Sequence, residues 1–411
     1  MRSKRGVVQE ILQGLGIECQ EGSPPIALPK DEAQAAEVMA EANRHQWRML
    51  PVGLAHQLGH VRPDSERFDL WLSTRRMQKV VQYEPGEATI TVQPGVLWQH
   101  VQSLAGEHRQ CLSPSFDPEI PRTVGGVLGA GFSGLDRPLR GALRHQVLGM
   151  RVLMADGSIA LTGGRLVKNV AGFDLHRLHT GGRGQLGVIL ETSLRLHNQP
   201  AETVVLNQSY DSLQSGVAAS RRLHSARLPG NGLLLRFEAS GRSRLSCVLQ
   251  GSPGLIEDAR KASALAMDFE EQLDGDAALR AQASNVREFD MDPCDPWLSI
   301  TCQPTAIEDV QRALGSWLQQ QNFKASGILQ PDVAHWSLRL HGLDSDSLPP
   351  DAALAHLSGA LREFGAATTP LGTLRSSAWD PGGHSPAPLQ QAVEALRQRF
   401  DPENRFQARL A

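Results

Sequence analysis

In residues 188–197, VILETSLRLH, every second residue from Val188 to Leu196 is apolar except Thr192, and the residues between them are polar except Ile189. A period of two is typical of a β-strand with one face on a core, so a strand is expected from Val188 to Leu196. A hairpin is expected just before it, because Asp156 and Gly157 separate two apolar runs and tolerate the positive φ angles of a tight turn.

Helical spacing appears earlier in the chain, after Pro29 and Asp31, where four apolar residues fall on one face: Ala35, Val38, Met39 and Ala42. A short apolar strand follows around residues 47–52. Further strands are predicted at residues 70–72, 80–83 and 88–92. The first 200 residues are therefore expected to be rich in strands with mixed connections.

After Pro200 the pattern indicates two similar runs of strand, helix, strand, strand and helix. The first covers residues 203–206, 211–223, 233–237, 245–249 and 255–267; the second covers residues 297–302, 306–320, 324–329, 336–340 and 351–364. A polar stretch to Asp295 separates them. This order predicts a ferredoxin-like α/β layer. From Gly365 we expect a Pro/Gly-rich loop and then a helix with Leu389, Val393, Leu396 and Phe400 at helical spacing.

Charge and cysteine content exclude several classes of protein. The net charge of −3 provides no basic surface for nucleic acid or an anionic membrane. The five cysteines are odd in number and have no CxxC spacing, which argues against a disulfide framework and against a zinc or iron–sulfur site. Neither a signal peptide nor an apolar run of about 18 residues is recognised. A cytoplasmic location with small molecules or proteins as partners is expected.

Glycine is concentrated in one window, since 15 of the 39 glycines lie between Gly125 and Gly187. In residues 123–134, TVGGVLGAGFSG, exposed amides could form a nest for phosphate oxygens, and the alternative is a close-packed turn. The second cluster, residues 181–187, precedes a strand and not a helix. A Rossmann dinucleotide site is therefore disfavoured.

Three stretches carry a resemblance to a known family. They read RTVGGVLGAGFSGLDRPLRGALRHQVLGMRVLMADG, GGRLVKNVAGFDLHRLHTGGRGQLGVILETSLRL and FDPENRF. They resemble the FAD-binding PCMH-type flavoproteins, and most closely the FAD-binding subunits of glycolate oxidases (the GlcE type). The similarity runs from about residue 26 to 200 and returns weakly from 365 to 410.

The resemblance implies an α+β fold. Residues 1–200 would form the two-part FAD-binding PCMH-type domain, residues 201–366 a ferredoxin-like cap domain, and residues 367–411 a segment whose helix returns to the FAD domain. It also implies FAD as the cofactor. The cofactor-binding positions carried over are Gly53, Thr123, Gly125, Gly126, Gly129, Ser133, Gly134, Asn169, Gly172, Asp174, Gly187 and Val188.

By the same resemblance, the chain would be the FAD-binding subunit of a complex that oxidises glycolate to glyoxylate. Its partners would be a catalytic flavoprotein subunit and an iron–sulfur subunit, and any attachment to the inner membrane would be made through them. Two alternatives stay open: a free-standing FAD-dependent dehydrogenase for a 2-hydroxy acid or alcohol, and a non-enzymatic scaffold with an empty flavin fold.

Several positions depart from the family pattern. In residues 51–59, PVGLAHQLG, Leu54 and Ala55 stand where glycines are usual. If these positions need a positive φ, each costs roughly 1–2 kcal/mol, on the order of five- to thirtyfold in affinity. Arg183 and Gln185 also differ from the family. The Gly-Asp-Gly-Asn-x-His motif of related dehydrogenases has no counterpart. No metal site and no catalytic base are assigned, because His335, His341 and His384 lack ligand spacing and Arg375 alone is thin evidence for a substrate carboxylate site.

Overall fold

The computed structural model describes residues 4–55, 68–116, 120–131, 137–164, 174–226, 228, 231–264, 267–275, 296–341, 351–372 and 387–406. Within these ranges the helices are α1 (Lys4–Gly14), α2 (Glu32–His45), α3 (Trp98–Gly106), α4 (Val124–Ala130), α5 (Arg137–Arg140), α6 (His176–His179), α7 (Leu213–Ser225), α8 (Pro253–Ala264), α9 (Ile307–Gln321), α10 (Asp351–Arg362) and α11 (Ala387–Phe400).

The first 200 residues contain two main sheets. A four-stranded sheet has the order β1-β2-β4-β3, from β1 (Glu18–Gln20), β2 (Ile26–Leu28), β3 (Met49–Val52) and β4 (Leu70–Ser73). A five-stranded sheet has the order β5-β6-β10-β8-β9, from β5 (Val80–Glu84), β6 (Thr89–Val92), β8 (Val147–Leu153), β9 (Ile159–Gly163) and β10 (Val188–Arg195). Strands β7 (Gln110–Cys111) and β11 (His197–Asn198) pair with each other.

Local signals in this half predicted the elements well. The alternating stretch forms β10, and the Asp156-Gly157 turn joins β8 to β9 in an antiparallel pair. The Asp31 side chain accepts a hydrogen bond from the Gln34 amide at 2.9 Å, so it caps α2 as expected. The four apolar residues predicted on one face of that helix are all buried.

The second half forms one eight-stranded antiparallel sheet, in the order β15-β12-β14-β13-β17-β18-β16-β19. Its strands are β12 (Glu202–Tyr210), β13 (Asn231–Phe237), β14 (Ser243–Gly251), β15 (Glu271–Asp274), β16 (Pro296–Thr301), β17 (Lys324–Gln330), β18 (His335–His341) and β19 (Ala367–Gly372). Each predicted run gains a fourth strand, β15 or β19, and becomes a βαββαβ unit. The two units meet at β13 and β17.

The sequence did not predict the two outermost strands, and the reason is local. Strand β15 is Glu-Gln-Leu-Asp, which has no apolar alternation, and β19 contains Pro370. An edge position makes both tolerable, because an edge strand needs only one set of ladder hydrogen bonds and leaves room for a proline.

One face of the eight-stranded sheet packs against α7, α8, α9 and α10 in a single apolar core. Fully buried Trp336 and Leu338 lie at the centre of that core. Because side chains alternate along a strand, the residues between them point to the other face of the sheet. This second face, which the four helices do not cover, carries polar residues and is described with the site.

The C-terminal segment after α11 packs on the first half of the chain. The Asp401 carboxylate accepts hydrogen bonds from the amides of Arg405 and Phe406 at 2.7 and 2.9 Å. The Met49 amide of β3 donates to the Arg405 carbonyl at 2.6 Å, and Phe406 is fully buried in the core around α2. The domain boundaries at residues 200 and 366 remain predictions.

Candidate functional site

Three segments that lie far apart in the sequence meet at the end of β3: residues 51–55, 123–131 and 181–187. A Cβ atom at Gly53 would lie 2.1 Å from Thr123 Oγ1, and one at Gly131 would lie 2.6 Å from Gly181 Cα. The Gly181 amide donates to the Leu128 carbonyl at 2.8 Å. Glycine is therefore needed at Gly131, where two backbones approach each other, and at Gly53, where the backbone approaches the Thr123 side chain. We call the surface these segments share the glycine crevice.

The middle segment differs from the expected loop. Residues 124–130 form helix α4, which the Thr123 side chain caps by accepting from the Gly126 amide at 3.2 Å. The amides of Val124 and Gly125 donate to the carbonyls of Val96 and Pro94. The amides of Gly125 and Gly126 are thus not bare, which agrees with the alternative of a close-packed segment, and cofactor binding at these two glycines stays a prediction.

The first segment leaves amides available instead. Neither Leu54 nor Ala55 donates its amide hydrogen to a residue within the described ranges. Ala55 has φ = 64°, so the expected steric cost applies to it. Leu54 does not have a positive φ, and the cost does not apply there. Residues 56–59 of this loop lie outside the described residues.

The crevice has room for a ligand along α4. A Cβ atom at Gly129 would meet nothing within 4 Å. Arg183, with φ = 50°, donates its amide hydrogen to the Gly129 carbonyl at 2.9 Å. Its side chain reaches solvent, yet desolvation by the surrounding protein lowers the pKa of the guanidinium, as expected inside a concave surface. The crevice therefore combines open space at Gly129 with a cationic side chain, Arg183, beside it.

The remaining predicted cofactor positions differ in burial, and some of them lie outside the described residues. Gly187 has φ = 144°, and a Cβ there would lie 2.6 Å from Val152 Cγ1, so it packs closely against β8. The Val188 side chain is buried in the core, which leaves only its backbone for a ligand. Asp174 is exposed and pairs with Arg177 at 3.0 Å. Four further positions, Ser133, Gly134, Asn169 and Gly172, lie outside the described residues.

Two buried histidines near the crevice were not singled out from the sequence. His176 and His179 lie on α6, just before the third segment, and both side chains are at most 5% exposed. Burial, and to a smaller extent the charge of His176, lowers the pKa of His179 to about 4. His179 contacts Phe400 edge-to-face at 5.9 Å. The i, i+3 spacing of the two histidines in HRLH could have indicated from the sequence that they lie on one side of a helix.

The uncovered face of the eight-stranded sheet carries charged and polar groups. Arg236 and Arg339 alternate with apolar residues that face the helices, so both lie on this face. His335 and His341 share it; Ser326 Oγ and His341 Nε2 are 2.6 Å apart. Helix α5 touches this sheet at β13, and the charge of Arg137 adds to burial in lowering the pKa of His335 to about 4.

Within the described ranges, no group of three His, Cys, Asp or Glu side chains has the geometry to hold a metal ion. In the same ranges, no helix combines the length and the apolar character needed to cross a membrane. His384 and Arg375 lie outside these ranges.

Several known proteins are similar to parts of this chain. A family model described as "FAD binding domain" matches residues 24–163. The glycolate oxidase subunit GlcE of Escherichia coli (strain K12) is 32% identical over 46% of this chain and 53% of its own length. The glycolate oxidase subunit GlcD of Bacillus subtilis (strain 168) is 28% identical over 49% of this chain and 43% of its own length.

A mitochondrial D-lactate dehydrogenase [cytochrome] of Arabidopsis thaliana is 28% identical over 44% of this chain and 31% of its own length. The chain thus spans about half the length, or less, of these curated relatives. Among solved structures, an alkyldihydroxyacetonephosphate synthase superposes with a TM-score of 0.69 at 15% identity, covering 94% of this chain and 77% of that one, which indicates a shared fold. Residues 24–163 are therefore an FAD-binding domain, and this part of the chain is similar to FAD-dependent oxidoreductases.

Proposed function

We propose that this chain is the FAD-binding subunit of a glycolate-oxidising complex, with a catalytic flavoprotein subunit and an iron–sulfur subunit as its partners. The observation that carries the proposal is the meeting of three distant segments around an open surface at Gly129. The similarity to a glycolate oxidase subunit over nearly half of the chain supports the choice of substrate.

The residues of this chain would then hold the cofactor. The amides of Leu54 and Ala55 would bind diphosphate oxygens, and the Arg183 guanidinium would offset their charge. The predicted contacts of Asn169, Gly172 and Asp174 with the cofactor, and of Gly187 and Val188 with its adenine end, belong to the same proposal. When bound, FAD supplies a ring that accepts a hydride from a 2-hydroxy acid. The eight-stranded sheet, as the cap domain, would exclude water from that ring.

A cavity-filling variant tests the crevice. We expect Gly129→Trp to abolish the flavin absorption of the purified chain, because the indole would occupy the space proposed for the cofactor. Unfolding should stay cooperative, because the open space at Gly129 accepts the indole without a clash. The matched control is Gly315→Trp in α9, another helical glycine with nothing within 4 Å of a Cβ. Flavin retained by Gly129→Trp would place the cofactor elsewhere. A wild-type chain that remains colourless after incubation with FAD would favour the scaffold alternative.

Turnover separates the subunit from a free-standing enzyme. The FAD-loaded chain alone should not reduce an artificial electron acceptor with glycolate, whereas the complex purified through a tag on this chain should. The second candidate, a dehydrogenase acting alone, is favoured by the similarity to a D-lactate dehydrogenase over 44% of this chain. Glycolate or D-lactate turnover by the isolated chain would support that candidate.

A further inference from the structure

A cavity of about 400 Å³ opens where the chain passes from β10 toward the eight-stranded sheet. Of the predicted cofactor positions that the structure describes, none lines it. The charged and titratable groups in its wall are Glu87, Arg140, Arg195 and His197. The volume lies within the range of small-molecule sites.

Two arginines give the cavity its positive charge. Arg140 Nη1 donates to the Asn198 carbonyl at 3.3 Å, which directs its guanidinium toward the strand β11 that forms one wall. Arg195 makes no ion pair with another residue in the described part of the chain. Among the described residues of the wall, the carboxylate belongs to Glu87, which is exposed. The described part of the wall thus has two guanidinium groups and one carboxylate.

His197 lies between these arginines with an unused polar atom. Its Nε2 is buried and has no hydrogen-bond partner within the described residues. Pairing of β11 with β7 fixes its backbone opposite Cys111. Burial, and then the charges of Arg140 and Arg195, lower the pKa of His197 to about 4, so the ring is neutral at pH 7. A buried polar atom without a partner costs about 1–3 kcal/mol, which a ligand atom would recover.

We propose that this cavity is a binding site for a small organic oxyanion, a carboxylate or a phosphate, held by the guanidinium groups of Arg140 and Arg195 and by a hydrogen bond with His197 Nε2. Guanidinium groups suit such ligands because their paired N–H donors match two oxygens. The site is separate from the glycine crevice, so its occupancy does not depend on FAD or on the proposed oxidation.

Titration of the FAD-saturated full-length chain with inorganic phosphate or glycolate tests the proposal, because bound FAD excludes phosphate from the crevice. NMR signals of His197 report occupancy. Bound anion offsets the arginine charges, so the pKa of His197 should rise by about one unit. Arg195→Gln should weaken binding by about tenfold, the loss of one charge-assisted contact. Glu87→Gln should strengthen it several-fold by removing repulsion.

The control is Arg362→Gln, which removes the same charge at the end of α10 and should leave the affinity unchanged. A preference for phosphate or for glycolate identifies the source of the oxyanion, and either result supports the site. Equal responses to chloride, phosphate and glycolate would indicate an adventitious ion only and overturn the proposal. It would equally be overturned if Arg195→Gln and Arg362→Gln had the same effect.

Discussion

The glycine crevice and the eight-stranded sheet are held together by different atoms. In the crevice, the backbone itself is in close contact, as Gly131 contacts the Gly181 backbone and Gly53 contacts the Thr123 side chain. In the sheet, large side chains such as Trp336 and Leu338 fill the space between strands and helices. A protein can tolerate changes in side-chain size better than an added atom between two backbones, because side chains can change rotamer and backbones in contact cannot.

This difference also separates their roles. A surface made of backbone presents amides and room for a ligand to approach, whereas a packed side-chain core presents nothing to a ligand. Substitutions in the two regions should therefore differ in whether they change FAD binding, even where they change stability by similar amounts.

The largest effect is expected for Gly131→Ala. Its φ of 66° is unfavourable for alanine by about 1–2 kcal/mol, and a Cβ 2.6 Å from Gly181 Cα forces the backbones apart for about 1–3 kcal/mol more. The free energy of unfolding should fall by about 2–5 kcal/mol in urea denaturation, and FAD affinity by at least about tenfold.

Gly157→Ala is the matched control for that variant. Gly157 has φ = 86°, but a Cβ there would meet nothing within 4 Å. It should lose only about 1–2 kcal/mol and keep its FAD affinity. Equal losses in both variants would show that φ alone, and not contact between the crevice segments, sets the cost.

In the sheet, Leu338→Ala should cost about 3 kcal/mol by leaving a cavity in the core of β16, β17 and β18. The folded fraction should bind FAD with wild-type affinity in a fluorescence titration, because the change removes only a core side chain. A large loss of FAD affinity in this variant would mean that the sheet core and the crevice are coupled.

The sequence predicted the region built by side-chain packing better than the region built by backbone contacts. Periodicity located α2, β10 and most strands of the sheet, because a core imposes its spacing on neighbouring residues. It failed for α4, where three glycines suggested a loop, although Thr123 as a cap and the spacing of Val124, Val127 and Leu128 were the signals of a helix. The meeting of Gly131 with Gly181 is a contact 50 residues apart, which no local pattern contains.

A smaller effect concerns acid stability near the crevice. Because the pKa of His179 is about 4 in the folded protein and about 6.5 when unfolded, the unfolded chain binds the proton first as pH falls. His179 therefore favours folding above pH 6.5, and that contribution is lost between about pH 6.5 and pH 4. His179→Phe keeps an aromatic ring beside Phe400. The free energy of unfolding, measured in urea between pH 6.5 and pH 4, should fall by about 2 kcal/mol less in this variant than in the wild type. An unchanged pH dependence would contradict the assignment; His100→Phe, at an exposed histidine, is the control.

The smallest effect is expected at Ala55, where the crevice departs from its own rule. The close approaches described in it use glycine on at least one side, whereas Ala55, like Arg183, holds a positive φ with a side chain, and the φ of Ala55 is 64°. Ala55→Gly should raise the free energy of unfolding by about 1 kcal/mol, since relief of the left-handed strain exceeds the extra flexibility that glycine gives to the unfolded chain.

The comparison is Ala334→Gly beside the sheet, where φ is 48° but the methyl group is fully buried. There the lost packing should offset the relief and leave stability nearly unchanged. If the free energy of unfolding rises equally in both variants, side-chain packing does not distinguish the two regions at these turns. If it rises only in Ala55→Gly, the difference between backbone contacts in the crevice and side-chain packing in the sheet extends to single methyl groups.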